Sequence, residues 1–231
     1  MRGMTSLWPW LTLFGLGAFH GINPGMGWLF AVALGLQEKS RRKVLQALPP
    51  IALGHAVSVA LVAGVLWLAE AALPDRALRW GAAALLFGFG LYRLLRSRHP
   101  TWVGMRVGFR DLTLWSFLMA SAHGAGLMLV PVLLGWSQGQ EMDAAAHHHH
   151  MAHGGAHTGG LSPQQIAGAL DPLRWLSAVG VHTAGHLLVA GLIALLVYEK
   201  LGLAMLQRAW FNLDLLWVIA LILSGVLILV V

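Results

Sequence analysis

Apolar residues run along the chain in six long stretches, and short segments between the stretches carry most of the charged residues. Each stretch is roughly 18 residues or longer, the length that a helix needs to cross a bilayer. The predicted spans are Trp8–Gln37, Ala47–Ala69, Leu78–Leu95, Leu112–Trp136, Leu173–Tyr198 and Leu213–Val231. The pattern predicts an all-α polytopic membrane protein with six transmembrane helices.

Composition agrees with this class. Of 231 residues, 58% are hydrophobic and 10% are charged, whereas soluble domains have roughly 45–50% apolar and about 25% charged residues. The chain has no cysteine, so disulfides, thiolate metal ligands and dithiol redox chemistry are excluded.

The net charge of +6 is explained by membrane topology rather than by nucleic-acid binding. Eleven of the 15 Lys and Arg residues fall in the loops after the first, third and fifth predicted spans. Because positive loops stay in the cytoplasm, we expect both termini to lie outside. The expected location is the bacterial plasma (inner) membrane.

The two halves of the sequence resemble each other. The segments 54–64 and 181–191 share a histidine, His55 or His182, and a Leu-Val-Ala-Gly string. Further matches in the same order pair His20 with His123, Trp80 with Trp217 and Gly88 with Gly225. Three spans per half, an odd number, predict a 3+3 inverted-topology repeat. The alternative is coincidence among Gly- and Leu-rich helices.

This repeat gives the predicted organisation of the chain. Residues 1–98 form the first three-helix repeat, and residues 99–136 form a loop and the fourth helix, which opens the second repeat. Residues 137–171 form a flexible His-rich loop, and residues 172–231 form the remaining helices of the second repeat.

The first and fourth spans are predicted to be broken. The first contains His20-Gly21-Ile22-Asn23-Pro24-Gly25, and the fourth contains His123-Gly124-Ala125-Gly126. Proline removes a backbone donor and glycine permits unusual dihedral angles. The predicted helix-break residues are Gly21, Pro24, Gly25 and Gly124. Paired breaks in transporters mark the substrate site, although a kink used for packing would have the same sequence.

Histidine is costly in hydrocarbon and usually faces the interior of a helix bundle. His20 and His123 are expected near the middle of the membrane, with His55 toward the cytoplasmic end and His182 toward the outer end. His186 shares a helix face with His182. The candidate metal ligands are His20, Asn23, His55, His123, His182 and His186. Met26, Met119 and Met128 would add sulfur contacts or simply pack, and interhelical hydrogen bonds are the alternative for each histidine.

A second group of histidines lies in the loop 137–171. It comprises His147, His148, His149, His150, His153 and His157. Flexible imidazole-rich tracts chelate Ni²⁺, Co²⁺, Zn²⁺ and Cu²⁺, so the loop is predicted to capture metal outside the membrane. An expression tag or neutral linker is the alternative. No acidic residue lies deep in a span, which disfavours a Ca²⁺ or Mg²⁺ pore.

The His20 motif, the six spans, the 3+3 organisation and the His-rich loop together resemble the nickel/cobalt transporter families (NicO and NiCoT) of the lysine-exporter-type superfamily. The resemblance covers the whole length as a pattern and implies metal transport. Those families carry His-x4-Asp-His in an early helix, whereas this chain has Asn23 and no acid nearby. His20 is the residue that transfers from the motif, with Asn23 in the place of a polar ligand.

The sequence therefore predicts a permease, not an enzyme, for a divalent transition-metal cation of the Ni, Co, Zn and Cu class. Such an ion is the substrate, and no organic cofactor is expected. The expected partners are the bilayer, the metal ion and a separate energy-coupling ATPase or metal-delivery protein, but no nucleic acid. Export of a small organic solute such as an amino acid, a metallocofactor assembly factor or membrane enzyme, and a structural subunit are the alternatives. The direction of transport and coupling to protons stay open.

Overall fold

A computed structural model describes residues 7–95, 108–135, 172–201 and 213–230 of the chain. Every regular element in these ranges is helical, which confirms the predicted all-α class. The helices are α1 Trp8–Ile22, α2 Trp28–Gln37, α3 Arg41–Ala72, α4 Asp75–Leu95, α5 Phe109–His123, α6 Leu127–Gly135, α7 Pro172–Leu196 and α8 Leu213–Val230. A short 3₁₀ turn, Pro24–Met26, separates α1 from α2, and a π-helical turn, Val197–Leu201, extends α7.

The helix α3 is longer than the span predicted for it. It begins at Arg41 rather than at Ala47 and contains 32 residues, or roughly 48 Å at 1.5 Å per residue. The apolar core of a bilayer is about 30 Å thick, so the charged first turn extends beyond it. A pattern based on hydropathy identifies the membrane-embedded part of such a helix and omits its polar end.

Within the ranges that the structure describes, two helices are long and apolar enough to cross a membrane, Arg41–Glu70 and Pro172–Lys200. The pair α5 and α6 qualifies as a third if it is one span, bent by 50° at its break. Two or three candidate spans of this kind indicate a membrane protein. Two further apolar helices, Trp28–Gln37 and Val218–Leu229, are shorter.

The distribution of side chains differs from that of a typical soluble protein. Along α3, the large apolar residues Leu53, Val57, Leu61, Val65 and Leu68 are exposed. The buried polar side chains are instead His20, Asn23, His55, Ser58, Ser116, His123, His182 and His186. Apolar side chains outside and polar side chains inside are what a lipid environment favours.

The helices pack in pairs: α1 lies along α7, α3 along α5, and α4 along α8, while α3 also contacts α7. Arg41 at the start of α3 and Glu199 beyond the end of α7 form an ion pair of 3.3 Å. The helices α3 and α7 are therefore antiparallel. Both side chains of the ion pair are largely exposed, so it marks the end of the bundle more than it stabilises it.

Glycines bring the backbones of the paired helices into contact. A methyl group on Gly17 of α1 would collide with the carbonyl oxygen of His182, and one on Gly185 of α7 would collide with that of Phe14. On α3, a methyl group on Gly54 would collide with the carbonyl oxygen of Thr113 in α5. These approaches use small residues as helix interfaces in membranes commonly do, and they place the histidines of α7 directly against α1.

Two apolar clusters lie on either side of the central histidines. Along α3, Ile51 belongs to one cluster and Val59 to the other, with His55 one turn from each. Along α7, Val179 and Ala190 belong to different clusters, and His182 and His186 lie between them. The histidines thus occupy a polar layer between two apolar layers.

Candidate metal centre

Four histidines from three helices come together in the core. They are His20 of α1, His55 of α3, and His182 and His186 of α7, and we call them the histidine cluster. All four side chains are fully buried. The ring centroid of His20 lies 5.6 Å from that of His55 and 5.0 Å from that of His182. The structure therefore brings together four of the six residues predicted as metal ligands.

The rings within the cluster are partly stacked. The planes of His55 and His186 differ by 2° with their centroids 4.0 Å apart, and those of His55 and His182 differ by 11° at 5.3 Å. Nitrogen lone pairs lie in the ring plane, so stacked rings do not direct them at one common point. Within the described residues, no group of three or more His or acidic side chains is arranged to hold a metal ion. Ligation by three of these rings requires side-chain rotation and stays a prediction.

Hydrogen bonds fix the orientation of three histidine rings. The Nδ1 atom of His20 lies 2.7 Å from the carbonyl oxygen of Leu16, and Nδ1 of His182 lies 3.2 Å from that of Leu13. His123 repeats the geometry of His20, with Nδ1 2.8 Å from the carbonyl oxygen of Met119. A ring that donates from Nδ1 keeps Nε2 as the nitrogen with a lone pair. Such contacts orient metal-ligating histidines.

Several ring nitrogens of the cluster are buried without a hydrogen-bond partner in the described part of the chain. These are Nε2 of His182 and both nitrogens of His55 and His186. The ring of His186 lies near the backbone of Met26 without a hydrogen bond of normal geometry. Unsatisfied buried polar groups are rare and call for an explanation such as an ion or a functional role.

The prediction that His55 and His182 lie at opposite ends of the membrane is wrong, because their rings are neighbours. The error comes from the helix limits. Since α3 begins at Arg41, His55 is near the middle of the helix rather than near its start. The antiparallel packing of α3 and α7 then brings both residues to the same level.

His123 lies at the end of α5 and is buried. Its Cε1 atom is 4.0 Å from the point where a Cβ atom on Gly25 would lie, and the methyl group of Met119 is 3.1 Å from the same point. His123 therefore lies near the first helix break, on the side where Met119 also packs.

The first break has the form predicted from Pro24 and Gly25. The helix α1 ends at Ile22, and the chain resumes as α2 after Gly27, which has a φ of +119°. Two tryptophan indoles donate to carbonyls in this segment: Trp28 to Ile22 at 3.0 Å and Trp115 to Gly25 at 3.3 Å. Interrupted backbone at membrane depth persists where protein groups satisfy it in this way.

Two residues predicted for this break have other positions or contacts. Gly21 lies inside α1, not in the break, and a methyl group there would be 2.6 Å from the carbonyl oxygen of His186. Gly21 is therefore a packing residue. The Oδ1 atom of Asn23 accepts a hydrogen bond of 2.9 Å from the Gly25 amide, so Asn23 caps the 3₁₀ turn. Its role as a metal ligand stays a prediction.

The second break also agrees with the sequence. Gly124 ends α5 with a φ of +69°, a left-handed conformation that glycine adopts readily. A 3₁₀ turn, Leu127–Leu129, opens α6. The backbone of the fourth span thus changes direction directly after His123. The backbone of the first span does the same shortly after His20.

No protein-family model, no curated protein and no solved structure matches this chain. The resemblance to nickel/cobalt transporters therefore stays a prediction carried by the sequence pattern. The predicted capture loop, with its six histidines, lies outside the described residues.

Several residues that shape the site were not predicted from the sequence. Gly17, Gly54 and Gly185 allow the helices to touch, and Trp28 and Trp115 support the first break. One signal was present: Gly17 and Gly21 form a G-x-x-x-G spacing, which is typical of close helix contacts in membranes. The indole contacts had no local signal, since Trp115 is 90 residues from its acceptor.

Proposed function

We propose that this protein is a membrane permease for a transition-metal cation, with Ni, Co, Zn and Cu as candidates, and that the ion passes through the histidine cluster. The observation that carries the proposal is a cluster of four buried imidazoles in which ring nitrogens of His55, His182 and His186 lack hydrogen-bond partners among the described residues. Neutral imidazole nitrogen is a preferred ligand of these metals.

A purely structural role explains this arrangement poorly. Histidines that serve packing in membranes form hydrogen bonds between helices. His55 and His186 instead stack face to face, and neither ring has a hydrogen bond of normal geometry among the described residues. Leaving such donors and acceptors buried costs roughly 1–3 kcal/mol for each group. A function that requires free nitrogen lone pairs accounts for retaining them.

The helix packing supports the 3+3 inverted repeat as part of the proposal. An inverted repeat relates the first span to the fourth, the second to the fifth and the third to the sixth. Under this exchange, the packing of α1 on α7 corresponds to the packing of α5 on α3, and both are observed. The pairs α4 with α8 and α3 with α7 are each exchanged within the pair. Gly88 and Gly225 differ, because a methyl group on Gly225 would be 3.2 Å from the ring of Phe87, whereas one on Gly88 would point into open space.

The cluster is closed to both sides, since all four rings are fully buried. In the proposed mechanism this is the occluded state, and movement at the two helix breaks opens the cluster alternately to each side. The His-rich loop on the outer side of the bacterial inner membrane collects ions. A separate ATPase, a delivery protein or proton exchange at the same histidines supplies energy where transport is uphill.

The test is metal flux in proteoliposomes that enclose a chelating dye. The intact protein is compared with His20→Ala and His55→Ala, and Ser58→Ala is the control. Ser58 is also buried on α3 but bonds Ser121 at 2.9 Å. We expect flux of at least one ion, its loss in both histidine variants, and its retention in Ser58→Ala. Absence of flux for every ion in folded protein overturns the proposal and favours export of an organic solute.

A further inference from the structure

The charge of the core limits which ion can rest there. The buried polar side chains of the described residues are His, Asn and Ser, without a carboxylate. The acidic residues in the described ranges lie at or near helix ends; they are Glu38, Glu70, Asp75, Asp111, Glu199 and Asp214. An ion in the histidine cluster therefore meets neutral ligands and keeps its full charge.

The free energy needed to move an ion from water into an apolar interior rises with the square of its charge. The loss of hydration is therefore about four times as large for a divalent as for a monovalent ion of similar size. A carboxylate would offset this penalty by pairing with the ion, and the core contains none among its buried side chains. Neutral donors in an apolar layer favour the monovalent ion.

Three methionines add thioether sulfur close to the two helix breaks. Met26, Met119 and Met128 are all buried, and each lies in or beside one of the helix breaks. The methyl group of Met119 and the ring of His123 border the same point above Gly25, and the backbone of Met26 lies beside His186. Thioether ligands favour soft ions such as Cu(I), and imidazole also binds copper.

Coordination number points the same way. Cu(I) and Ag(I) are d¹⁰ ions that accept two ligands in a line or three in a plane, whereas Zn²⁺ in proteins takes four. Within the described residues no three rings converge on one point. Two histidines on opposite sides of an ion are sufficient for a monovalent d¹⁰ cation, so the cluster suits it with less rearrangement.

We infer that the ion taken by the histidine cluster is Cu(I), with Ag(I) as its chemical analogue, rather than a divalent cation. This inference rests on the proposed function and revises the divalent charge expected from the sequence. Copper arrives already reduced, and no electron transfer is part of the inference.

The experiment measures uptake of silver nitrate into proteoliposomes in chloride-free buffer, beside equal concentrations of Zn²⁺, Ni²⁺ and Co²⁺. A variant with all six loop histidines replaced by alanine removes binding by the loop. In that background we compare His55→Ala, Met26→Leu and the control Ser58→Ala. X-ray absorption of bound Ag(I) or of Cu(I) under anaerobic conditions reports ligand number independently of transport.

We expect Ag⁺ uptake at least tenfold faster than that of any divalent ion, its loss in His55→Ala, its retention in Ser58→Ala and a two- or three-ligand absorption spectrum. A reduced rate in Met26→Leu would add sulfur to the ligand set. Flux of Zn²⁺, Ni²⁺ or Co²⁺ that exceeds Ag⁺ and disappears in His55→Ala overturns the charge inference and leaves the permease intact. Absence of flux for all four ions overturns both.

Discussion

The two helix breaks begin alike and end differently. His20 and His123 each lie at the end of a helix, and each ring contacts the carbonyl oxygen four residues earlier, at 2.7 and 2.8 Å. Beyond that point, the first break contains a capped 3₁₀ turn and receives two indole hydrogen bonds. The second break relies on Gly124 in a left-handed conformation and a bend of 50°.

The rings of His20 and His123 also lie in different surroundings. His20 belongs to the histidine cluster, whereas His123 lies against Gly25 of the first break. A sequence repeat can therefore preserve the local geometry of a histidine while its surroundings diverge. The histidine before the first break belongs to the cluster, and the histidine before the second break lies near Gly25 of the first.

The largest effect expected from this comparison is on ion affinity. We expect His20→Ala to weaken binding by more than about 100-fold because it removes a donor of the cluster, and His123→Ala by about tenfold because its ring lies near the first break, outside the cluster. Titration of purified protein lacking the loop histidines measures both. Equal losses would show that the two breaks contribute equivalently to the site.

The next effect concerns the helices that lead into the breaks. Gly17 lies three residues before His20, and the matching position before His123 is Ala120. Gly17→Ala should lower the free energy of unfolding by about 3 kcal/mol, since its methyl group meets the backbone of α7. Unfolding in denaturing detergent measures the change.

Gly15→Ala is the matched control on the same helix, because a methyl group on Gly15 has nothing within 4 Å. It should stabilise the helix by roughly 0.5–1 kcal/mol. A similar loss of stability in both variants would contradict close contact at Gly17.

A smaller effect separates the glycines of the two breaks. Gly27 has a φ of +119° and Gly124 a φ of +69°, and only the second lies in the left-handed region that non-glycine residues visit. We expect Gly27→Ala to cost about 3 kcal/mol and Gly124→Asn about 1 kcal/mol. Thermal unfolding of the two variants tests the order, and a reversed order would contradict the conformations described.

The smallest effect concerns the indole donors. Trp28→Phe and Trp115→Phe each remove one hydrogen bond to the first break and should each cost about 1 kcal/mol. Amide hydrogen exchange in residues 22–27 should rise in both variants. Trp80→Phe is the control, since Trp80 is 60% exposed and should leave exchange unchanged.

The sequence predicted those features that depend on local chemistry. Pro24 and Gly124 marked both breaks because their backbone preferences act within a few residues. The inward position of the five histidines followed from the cost of imidazole in hydrocarbon. The start of α3 was missed because Arg41–Lys43 is charged, although charged residues form good helix beyond the membrane.

The levels of His55 and His182 could not be predicted from spans alone. They depend on the register of α3 against α7, which is marked by the Arg41–Glu199 ion pair and by Leu48 close to Gly191. These contacts join residues more than 140 positions apart, and nothing in the local sequence specifies the partner. The same holds for Trp115, whose acceptor Gly25 lies in the other half of the chain.

The glycine contacts show that the cluster takes its rings from two closely packed helix pairs, which also contact each other through α3 and α7. His20, His182 and His186 belong to α1 and α7, whose backbones touch, whereas His55 belongs to α3, which touches α5. An ion that binds His55 together with any of the other three histidines would link the two helix pairs. Movement of one pair along the other would then require the ion to leave one of its ligands, so release of the ion and movement of the helices would be coupled.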